Sequence, residues 1–210
     1  MKIVILGASG RLGAALLREY REKYNILGFN RAQLDLASLE DVRQTVGAMD
    51  FDVLINPAAF TNVDACETER DRAFLINAEA PGILAEICNE KDAKLIHFST
   101  DYVFDGEKRA PYAEQDPANP ISFYGESKLA GEKKVLAAGN RHVVVRVSWV
   151  FGPDRPSFID AMIKRAQQDE KIDAVADKFS TPTYTHDIAN MLPQFFDRGV
   201  DGGLLHFANA

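Results

Sequence analysis

The sequence predicts an α/β fold built on a parallel β-sheet. Short apolar runs rich in β-branched residues alternate with helical patterns along the first 150 residues, which is typical of βαβ units. The first run ends in a glycine-rich turn that leads directly into a helix, and the alternation weakens beyond Gly152-Pro153. These observations indicate a Rossmann-type, doubly wound dinucleotide-binding domain over residues 1–150. Residues 151–184 are then part of a small substrate-binding lobe, and 185–210 are a helix and strand that return to the first domain.

The composition is that of an ordinary globular protein. With 210 residues, 46% hydrophobic and 26% charged, the chain can bury the core of one domain or one and a half. The net charge of -7 is spread over short clusters, which disfavours nucleic acid or an anionic membrane as the main partner. No apolar run approaches the roughly 20 residues of a membrane span or suits a secretory signal, so we expect a cytoplasmic location.

Neither the cysteines nor the histidines have the spacing of a metal site. Cys66 and Cys88 are interpreted as reduced thiols, with Cys88 packed on a helix. The four histidines are interpreted as packed or surface imidazoles. We therefore predict no metal ligands in this chain.

A glycine-rich turn follows the first predicted strand, residues 2–6. Gly7 permits a tight turn, Gly10 lets a pyrophosphate approach the backbone, and Gly13 permits close packing of helix on strand. The N-terminus of the following helix attracts phosphates. The Gly-x-x-Gly-x-x-Gly spacing differs from the tighter Gly-x-Gly-x-x-Gly of many dehydrogenases, but its place after the first strand favours a dinucleotide site.

The second predicted strand, residues 25–29, leads into Asn30-Arg31, where many NAD sites carry an acid for the ribose hydroxyls. A cation stands there instead. The guanidinium of Arg31 is suited to a 2′-phosphate, which favours NADP(H) as the cofactor. An exposed loop arginine with no ligand is an equally weighted alternative, and NAD(H) stays open.

Two further strands are predicted over residues 52–55 and 94–98. The first leads into residues 56–61, whose small side chains let a cofactor lie against the backbone. The second delivers Ser99-Thr100-Asp101 to the carboxyl edge of the sheet, where open α/β folds bind ligands. Between these strands, residues 69–90 have the pattern of one long helix with Pro81 as its kink.

Tyr124 and Lys128 stand four positions apart in a stretch that has a helical pattern up to Gly139. In a helix both side chains leave the same face. A nearby ammonium favours the phenolate form of tyrosine, so the pair is suited to pass a proton at neutral pH. An isolated Tyr-x-x-x-Lys is more often a half-buried tyrosine beside a solvated lysine, so the rest of the chain must decide.

A fifth strand, residues 142–147, ends in Ser148-Trp149, so the only tryptophan falls at the same sheet edge as Thr100. Trp149 is interpreted either as a ligand contact or as a core anchor. The remaining predicted elements are a helix over 158–168, a strand over 171–175, a loop over 177–184, a helix capped by Thr185 from 186 towards 196, and a last strand over 204–207.

Four blocks of sequence accompany the glycine turn and the Tyr-Lys pair, in a fixed order. The blocks are Asn56 to Asp64, Ser99 to Gly106, Arg146 to Gly152 and Pro182 to Tyr184. Together with the two motifs they resemble the dTDP-4-dehydrorhamnose reductase family of the extended short-chain dehydrogenase/reductases. The resemblance covers residues 2–209.

The resemblance implies hydride transfer from NAD(P)H to the C4 ketone of dTDP-4-dehydro-L-rhamnose, which gives dTDP-L-rhamnose for cell-surface polysaccharide. Tyr124 would protonate the alkoxide, Lys128 would hold the nicotinamide ribose and lower the pKa of Tyr124, and Thr100 would hydrogen-bond the ketone oxygen. The nucleotide sugar is the expected partner, and a homodimer stays open. By the same resemblance the cofactor is lined by Arg11, Leu12, Asp35, Leu36, Ala58, Ala59, Phe60 and Thr61, and the sugar nucleotide by Thr100, Asp101 and Trp149.

Members of this family continue for several tens of residues beyond the strand that matches residues 204–209, and those residues complete the substrate lobe. We therefore expect an incomplete lobe, with intact NADP(H) binding but weak binding and slow turnover of dTDP-sugars. Two other functions stay open. A nucleotide-sugar epimerase or dehydratase would share the fold and the Tyr-Lys pair, and a non-catalytic subunit would resemble the regulatory subunit of methionine adenosyltransferase.

Overall fold

The computed structural model describes residues 1–168, 171–173, 175, 177, 180–198 and 201–209. The strands are β1 (Lys2–Leu6), β2 (Asn25–Phe29), β3 (Val53–Asn56), β4 (Lys94–Thr100), β5 (Val143–Val147), β6 (Val150–Phe151), β7 (Thr183–Tyr184) and β8 (Gly203–Phe207). The α-helices are α1 (Arg11–Tyr20), α2 (Leu39–Gly47), α3 (Val63–Thr68), α4 (Arg70–Phe74), α5 (Ala80–Glu90), α6 (Phe123–Ala138), α7 (Phe158–Ala166), α8 (Thr185–Met191) and α9 (Pro193–Phe196). A π-helical turn, Leu75–Glu79, joins α4 to α5, and a 3₁₀ turn, Asp101–Val103, follows β4.

Six strands form one parallel sheet in the order β2-β1-β3-β4-β5-β8. The chain moves outward from β1 to β2 and then back past β1 to β3, so the strand order reverses between β1 and β3. This confirms the predicted α/β fold with a doubly wound parallel sheet. In such sheets ligands bind outside the carboxyl ends of the strands, at the point where the order reverses.

The central strands bury apolar side chains on both faces of the sheet. In β1, Val4 and Leu6 belong to a core covered by α2, α5 and α6, whereas Ile3 and Ile5 belong to a core covered by α1 and α8. Successive side chains of a strand point to opposite faces, so a strand covered on both sides has a continuous apolar run. The short apolar runs of the sequence therefore predicted these strands to within two residues.

The helix predicted over residues 69–90 is interrupted. It is divided into α4, the π-helical turn and α5. Phe74, Glu79 and Ala80 have helical backbone angles, so the backbone stays helical through the π-helical turn. Pro81 lacks the N–H that would bond the carbonyl oxygen four residues earlier, at Asn77, so the irregularity lies where Pro81 was expected to kink the helix. The short helix α3 before it was not predicted.

The segment after β5 differs most from its prediction. Residues 171–173 and 175 belong to no strand, so the strand predicted there is wrong, and residue 174 lies outside the described residues. The loop predicted over 177–184, of which 178 and 179 lie outside that part too, ends in β7, which pairs with β6. Thr185 begins α8 rather than capping it, and Pro193 starts α9 because proline lacks the N–H needed to continue a helix. The pairing of β6 with β7 joins distant segments, which periodicity does not reveal.

Both cysteines are free and buried. Cys88 packs on α5, as predicted, and burial raises the pKa of its thiol to about 12. Among the described residues, no helix combines the length and the apolar character needed to cross a membrane. In that same part of the chain, no three or more histidine, cysteine or acidic side chains converge as a metal site requires.

Candidate active site

Glycines build the turn between β1 and α1. Gly7 has a φ of +65°, a conformation that other residues rarely adopt. A Cβ on Gly13 would lie 2.2 Å from the carbonyl oxygen of Gly7, so glycine lets α1 pack closely on the turn. A Cβ on Gly10 would approach the same oxygen to 3.1 Å. The turn therefore leaves the N-terminus of α1 beside the carboxyl end of β1, where the helix dipole favours an anion.

A cavity of about 420 Å³ opens at the carboxyl ends of β1, β3 and β4. It brings together thirteen residues predicted to hold the cofactor: Gly7, Gly10, Arg11, Leu12, Arg31, Asp35, Leu36, Ala58, Ala59, Phe60, Thr61, Tyr124 and Lys128. Of the other predicted site residues, Gly13, Thr100, Asp101 and Trp149 do not line this cavity. Motifs far apart in sequence thus share one crevice, while the residues predicted for the sugar nucleotide lie outside it.

Arg31 lies on the rim of the cavity, with 65% of its side chain exposed. Its Nε donates to the Asp35 carboxylate across 3.4 Å. An exposed pair of this length contributes little free energy, so the guanidinium is free to turn towards a phosphate. Asp35 also accepts a hydrogen bond from the Ala37 amide at 3.1 Å. Arg31 and Asp35 therefore lie side by side after β2, where dinucleotide-binding folds recognise the ribose that carries the 2′-hydroxyl or 2′-phosphate.

Helix α6 carries Tyr124 and Lys128 and confirms the predicted helix. Ser122 caps it by accepting a hydrogen bond from the Gly125 amide at 3.2 Å. A Cβ on Gly125 would lie 2.2 Å from the carbonyl oxygen of Tyr102, so glycine lets the first turn of α6 pack on the segment after β4. Tyr124 is 8% exposed and Lys128 is 2% exposed. Both line the cavity, which confirms that they share one face of the helix.

The amino group of Lys128 is anchored on β4. Its Nζ donates to the Phe98 carbonyl oxygen at 2.7 Å and lies 3.3 Å from His97 Nε2. Burial lowers the pKa of Lys128 to about 8, because desolvation penalises the ammonium, and the charge of Glu132 acts in the opposite direction. The amine and ammonium forms of Lys128 are therefore close in free energy near neutral pH.

The expectation that Lys128 lowers the pKa of Tyr124 is wrong for this structure. Burial raises the pKa of Tyr124 above its usual value, and a hydrogen bond with Thr100 opposes the rise. Burial is the largest cause of the rise, and Lys128 Nζ contacts Phe98 and His97. A tyrosine with a raised pKa stays protonated at neutral pH, which suits a proton donor rather than a base.

Thr100 lies at the end of β4. Its Oγ1 donates to Asp101 Oδ1 at 3.0 Å and accepts from the Tyr102 amide at 3.2 Å. The other carboxylate oxygen of Asp101 accepts from Ser148 Oγ at 2.6 Å. To donate to a ligand, Thr100 must turn its hydroxyl away from Asp101, which keeps its bond to Ser148.

Trp149 follows β5 and is 42% exposed. It is therefore not the core anchor that was the alternative interpretation. Its φ is +37°, an unusual value for a bulky residue, and its ring lies 6.1 Å from that of Phe158. Strained backbone of this kind clusters at functional sites, and the contact of Trp149 with a ligand stays a prediction.

Arg11 lines the cavity, but its guanidinium connects two segments of protein. Nη1 donates to the Val150 carbonyl oxygen at 2.9 Å, and Nη2 donates to that of Pro156 at 2.6 Å. A third hydrogen bond connects the same two segments in the opposite direction, because Arg155 Nε donates to the carbonyl oxygen of Ser9 at 2.9 Å. These bonds hold the segment after β5 against the glycine turn.

Motif analysis missed Asn77, which lies in the π-helical turn. Its Oδ1 accepts from the Phe60 amide at 2.8 Å, and its Nδ2 donates to the Phe60 carbonyl oxygen and to Ser127 Oγ, both at 3.0 Å. Asn77 thereby connects the loop that carries Phe60 to the helix that carries Tyr124. A fully buried amide within an apolar helical pattern is the signal that could have found it, since buried polar groups need partners.

Two residues of β4 were also missed. His97 lies directly behind Lys128 and is fully buried. Ser99 lines the cavity, and its buried Oγ has no hydrogen-bond partner among the described residues. The signal was present, because polar residues at 97 and 99 interrupt an otherwise apolar strand. A buried hydroxyl left unpaired costs free energy, so Ser99 is suited to a ligand that supplies the partner.

Comparison with known proteins shows the family. The model of the family described as the RmlD substrate binding domain matches residues 1–210. The chain belongs to this family. This RmlD-family chain is 44% identical over 212 residues to a dTDP-4-dehydrorhamnose reductase of Mycolicibacterium smegmatis, covering 100% of the chain and 64% of the relative. It is 38% identical over 212 residues to a probable dTDP-4,6-dihydroxy-2-methyloxan-3-one 4-ketoreductase of Streptomyces antibioticus, covering 100% of the chain and 72% of the relative.

A solved structure of similar fold contains a cofactor. The dTDP-4-dehydrorhamnose reductase of Bacillus anthracis, crystallised in complex with NADP, matches with a TM-score of 0.94 and 36% identity over 100% of this chain and 74% of that one. The RmlD-family chain thus spans between 64% and 74% of the length of these relatives.

The residues of the crevice fit a dinucleotide. Gly7 and Gly10 keep side chains away from the turn, and Ala58 and Ala59 are small where the cavity passes β3. The unpaired hydroxyl of Ser99 offers a polar contact deeper in the cavity. An elongated ligand that carries phosphates therefore meets backbone and small side chains along the crevice.

Proposed function

We propose that this chain binds NADP(H) in the crevice and reduces the C4 ketone of dTDP-4-dehydro-L-rhamnose to dTDP-L-rhamnose. The observation that carries the proposal is the meeting of Tyr124 and Lys128 with the glycine turn in one cavity. Family membership, the reductase names of the relatives and the similar structure with NADP support it. NAD(H) is the alternative cofactor.

Tyr124 is the proton donor in this proposal. The bound cofactor supplies the hydride that reduces the ketone carbon. As the carbonyl oxygen gains negative charge, the phenol O–H bond of Tyr124 breaks and a new O–H bond forms on the substrate. The raised pKa of Tyr124 keeps the proton in place until then, and solvent later restores it. General acid catalysis of this kind contributes about 10²–10⁴-fold to the rate.

Lys128 and Thr100 orient the reactants. Lys128 directs an N–H that Phe98 does not use towards the ribose hydroxyls of the cofactor. Thr100 turns its hydroxyl from Asp101 to the ketone oxygen and polarises it. Asp101 and Trp149 contact the sugar nucleotide at the same edge of the sheet.

The direct test is consumption of NADPH by the purified chain in the presence of dTDP-4-dehydro-L-rhamnose. The product should carry two more hydrogen atoms than the substrate by mass spectrometry and should match dTDP-L-rhamnose in chromatography. The control replaces the ketone by dTDP-L-rhamnose, which lacks the carbonyl group and should consume no NADPH. Absence of ketone-dependent NADPH consumption would overturn the proposal.

The same assay separates the two other functions. An epimerase would return an isomer of unchanged mass, and a dehydratase would return a product that has lost one water, in both cases without net use of NADPH. A non-catalytic subunit would bind NADPH and convert nothing. The presence of Thr100, Tyr124 and Lys128 together supports an enzyme.

Arg31 provides the test of cofactor choice. A charged hydrogen bond to the 2′-phosphate is worth roughly 1–3 kcal/mol, so Arg31→Ala should weaken NADPH binding by about one to two powers of ten and leave NADH binding unchanged. Calorimetric titration of both cofactors measures the ratio. The matched control is Arg43→Ala, which removes an exposed arginine paired with Glu86 on another surface. An unchanged ratio in Arg31→Ala would show that Arg31 does not read the phosphate.

A homodimer and a cytoplasmic location belong to the same proposal. Sedimentation equilibrium of the purified chain measures its assembly, and fractionation of expressing cells measures its location.

A further inference from the structure

Two buried polar side chains stand behind Lys128 and have no part in the mechanism above. Asn56 and His97 are both fully buried at the centre of the sheet, on β3 and β4. Asn56 Nδ2 lies 3.2 Å from His97 Nδ1, and His97 Nε2 lies 3.3 Å from Lys128 Nζ. Asn56, His97 and Lys128 thus form a continuous series of contacts. The series begins at the loop after β3, because Asn56 Oδ1 accepts from the Ala58 amide at 3.2 Å.

The Ala58 amide determines the direction of the hydrogen bonds that link Asn56, His97 and Lys128. A backbone N–H only donates, so it holds the oxygen of the Asn56 amide and turns the Asn56 NH₂ group towards His97. The Nδ1 atom of His97 must then accept, and a neutral imidazole that accepts at Nδ1 carries its proton on Nε2. That N–H faces Lys128, where the lone pair of an amine accepts it and an ammonium does not.

His97 itself does not take up a second proton in this environment. Burial lowers the pKa of His97 well below its usual value, and the nearby charge of Lys128 acts in the same direction. With Nε2–H directed at Lys128, the amine of Lys128 has one N–H on the Phe98 carbonyl oxygen. Its other N–H is left for the cavity.

We propose that His97, oriented by Asn56, is a positioning residue that fixes both the direction and the protonation state of Lys128. This inference rests on the proposed function for its consequence in catalysis. The structural part of the inference does not depend on that function. The imidazole N–H of His97 favours the amine form of Lys128, and Asn56 and His97 connect Lys128 to the loop at Ala58.

Substitution of His97 leaves the other titratable residues near Lys128 in place. Glu132 raises the pKa of Lys128, and it pairs with Arg146 at 2.6 Å. The remaining titratable groups next to Tyr124 are Asp101 and Tyr102, which follow β4, and Cys66 of α3. A change in the titration of Lys128 that follows substitution of His97 alone therefore reports on the imidazole.

The first measurement uses the unmodified chain, so it does not depend on a variant that folds. Nitrogen-15 NMR of the histidine rings distinguishes the two neutral tautomers, and His97→Gln assigns the His97 signals by their disappearance. We expect the tautomer protonated on Nε2 between about pH 6 and pH 9, with no titration in that range. The tautomer protonated on Nδ1 would overturn the proposal.

The second measurement follows the side-chain nitrogen of Lys128 through a pH titration, assigned with Lys128→Met. In His97→Gln the amide can turn its oxygen to the ammonium, so the pKa of Lys128 should rise by about one unit. The matched control is His142→Gln, which changes another fully buried histidine whose Nδ1 accepts from the Leu95 amide. The control should leave Lys128 unchanged, and an equal shift in both variants, or none in His97→Gln, would overturn the proposal.

Turnover supplies the functional readout. In His97→Gln the midpoint of the pH profile of kcat/KM should move by the same amount as the pKa of Lys128, whereas a purely structural defect would lower the rate at every pH. A profile that stays in place while Lys128 shifts would show that His97 has no part in the reaction. If the chain had no reductase activity, the proposed function would fail, and the two NMR results would still decide the role of His97.

Discussion

Helices α6 and α7 differ in how their sequences relate to their surroundings. Helix α6 contains two glycines and several charged residues, yet Ser127, Lys128 and Glu132 are buried. Helix α7 begins with a capping box formed by Ser157 and Asp160, and it has basic residues in its last turn. None of its residues is buried, and Phe158, at 54%, and Ile163, at 55%, are exposed.

The difference shows that local helix signals and burial are independent. Buried polar residues of α6 are matched by groups from other elements: Glu132 receives two hydrogen bonds from Arg146, at 2.8 and 2.6 Å, and Ser127 receives one from Asn77. In α7 the capping box satisfies the first turn from within the helix itself. The burial of polar residues in α6 therefore depends on tertiary contacts, whereas the first turn of α7 is satisfied by its own sequence.

The largest expected effect comes from the face of α6 that lines the cavity. Tyr124→Phe should lower kcat by about 10²–10⁴-fold, because the proton donor is removed, while NADPH affinity and stability change little. Steady-state kinetics and cofactor titration check this. The matched control is Tyr20→Phe, which removes a buried hydroxyl that donates to the Ala189 carbonyl oxygen at 2.6 Å, far from the cavity. The control should lose stability and keep its kcat, and the opposite pattern would contradict the assignment.

Lys128→Met tests the cost of burying an ammonium in α6. The pKa of Lys128 is about 8 when folded against a usual value of 10.5. Between these values the unfolded chain binds more protons, so unfolding free energy in the unmodified chain rises with pH. The variant lacks this rise. The unfolding free energy of Lys128→Met minus that of the unmodified chain should therefore be largest below pH 8. This difference should fall by on the order of 3 kcal/mol as the pH approaches 10.5.

Urea denaturation at several pH values measures that difference. The control Lys133→Met changes an exposed lysine of the same helix and should give a difference that does not depend on pH. A pH-independent effect of Lys128→Met would contradict the lowered pKa.

Gly131→Ala tests the close approach of α6 to the π-helical turn. The new Cβ would lie 2.1 Å from the Asn77 carbonyl oxygen. Displacement of the turn should cost about 1–3 kcal/mol of stability, and it should weaken NADPH binding because Asn77 holds the loop at Phe60. Denaturation and cofactor titration measure both effects. The control is Gly47→Ala at the end of α2, where a Cβ meets nothing within 4 Å, so stability should be unchanged or slightly higher.

The smallest effect is expected in α7. Ile163→Ala should change the unfolding free energy by no more than about 0.5 kcal/mol, because the side chain is already 55% exposed. The same substitution at Ile87, which is 1% exposed on α5, should cost about 2–5 kcal/mol. A cost above about 1 kcal/mol at Ile163 would mean that the apolar face of α7 is covered in solution.

Much of the fold follows from short-range patterns along the chain. The strands from residue 2 to residue 147, the glycine turn, and the single face that Tyr124 shares with Lys128 were all predicted correctly. Each depends on the spacing of residues within one element, and that spacing is set by the geometry of a strand or a helix. The motifs also predicted the family, since their order along the chain is itself a sequence property.

Contacts between distant segments required the three-dimensional arrangement. The pairing of β6 with β7 and the π-helical turn at Asn77 are examples. Others are the contact of Lys128 with the Phe98 carbonyl oxygen on β4 and the burial that raises the pKa of Tyr124. Burial and hydrogen bonding depend on which residues of other elements come near, and a pKa depends on both. For that reason the sequence predicted that Tyr124 and Lys128 share one helix face, while their electrostatic state became visible only once β4 and α6 were packed together.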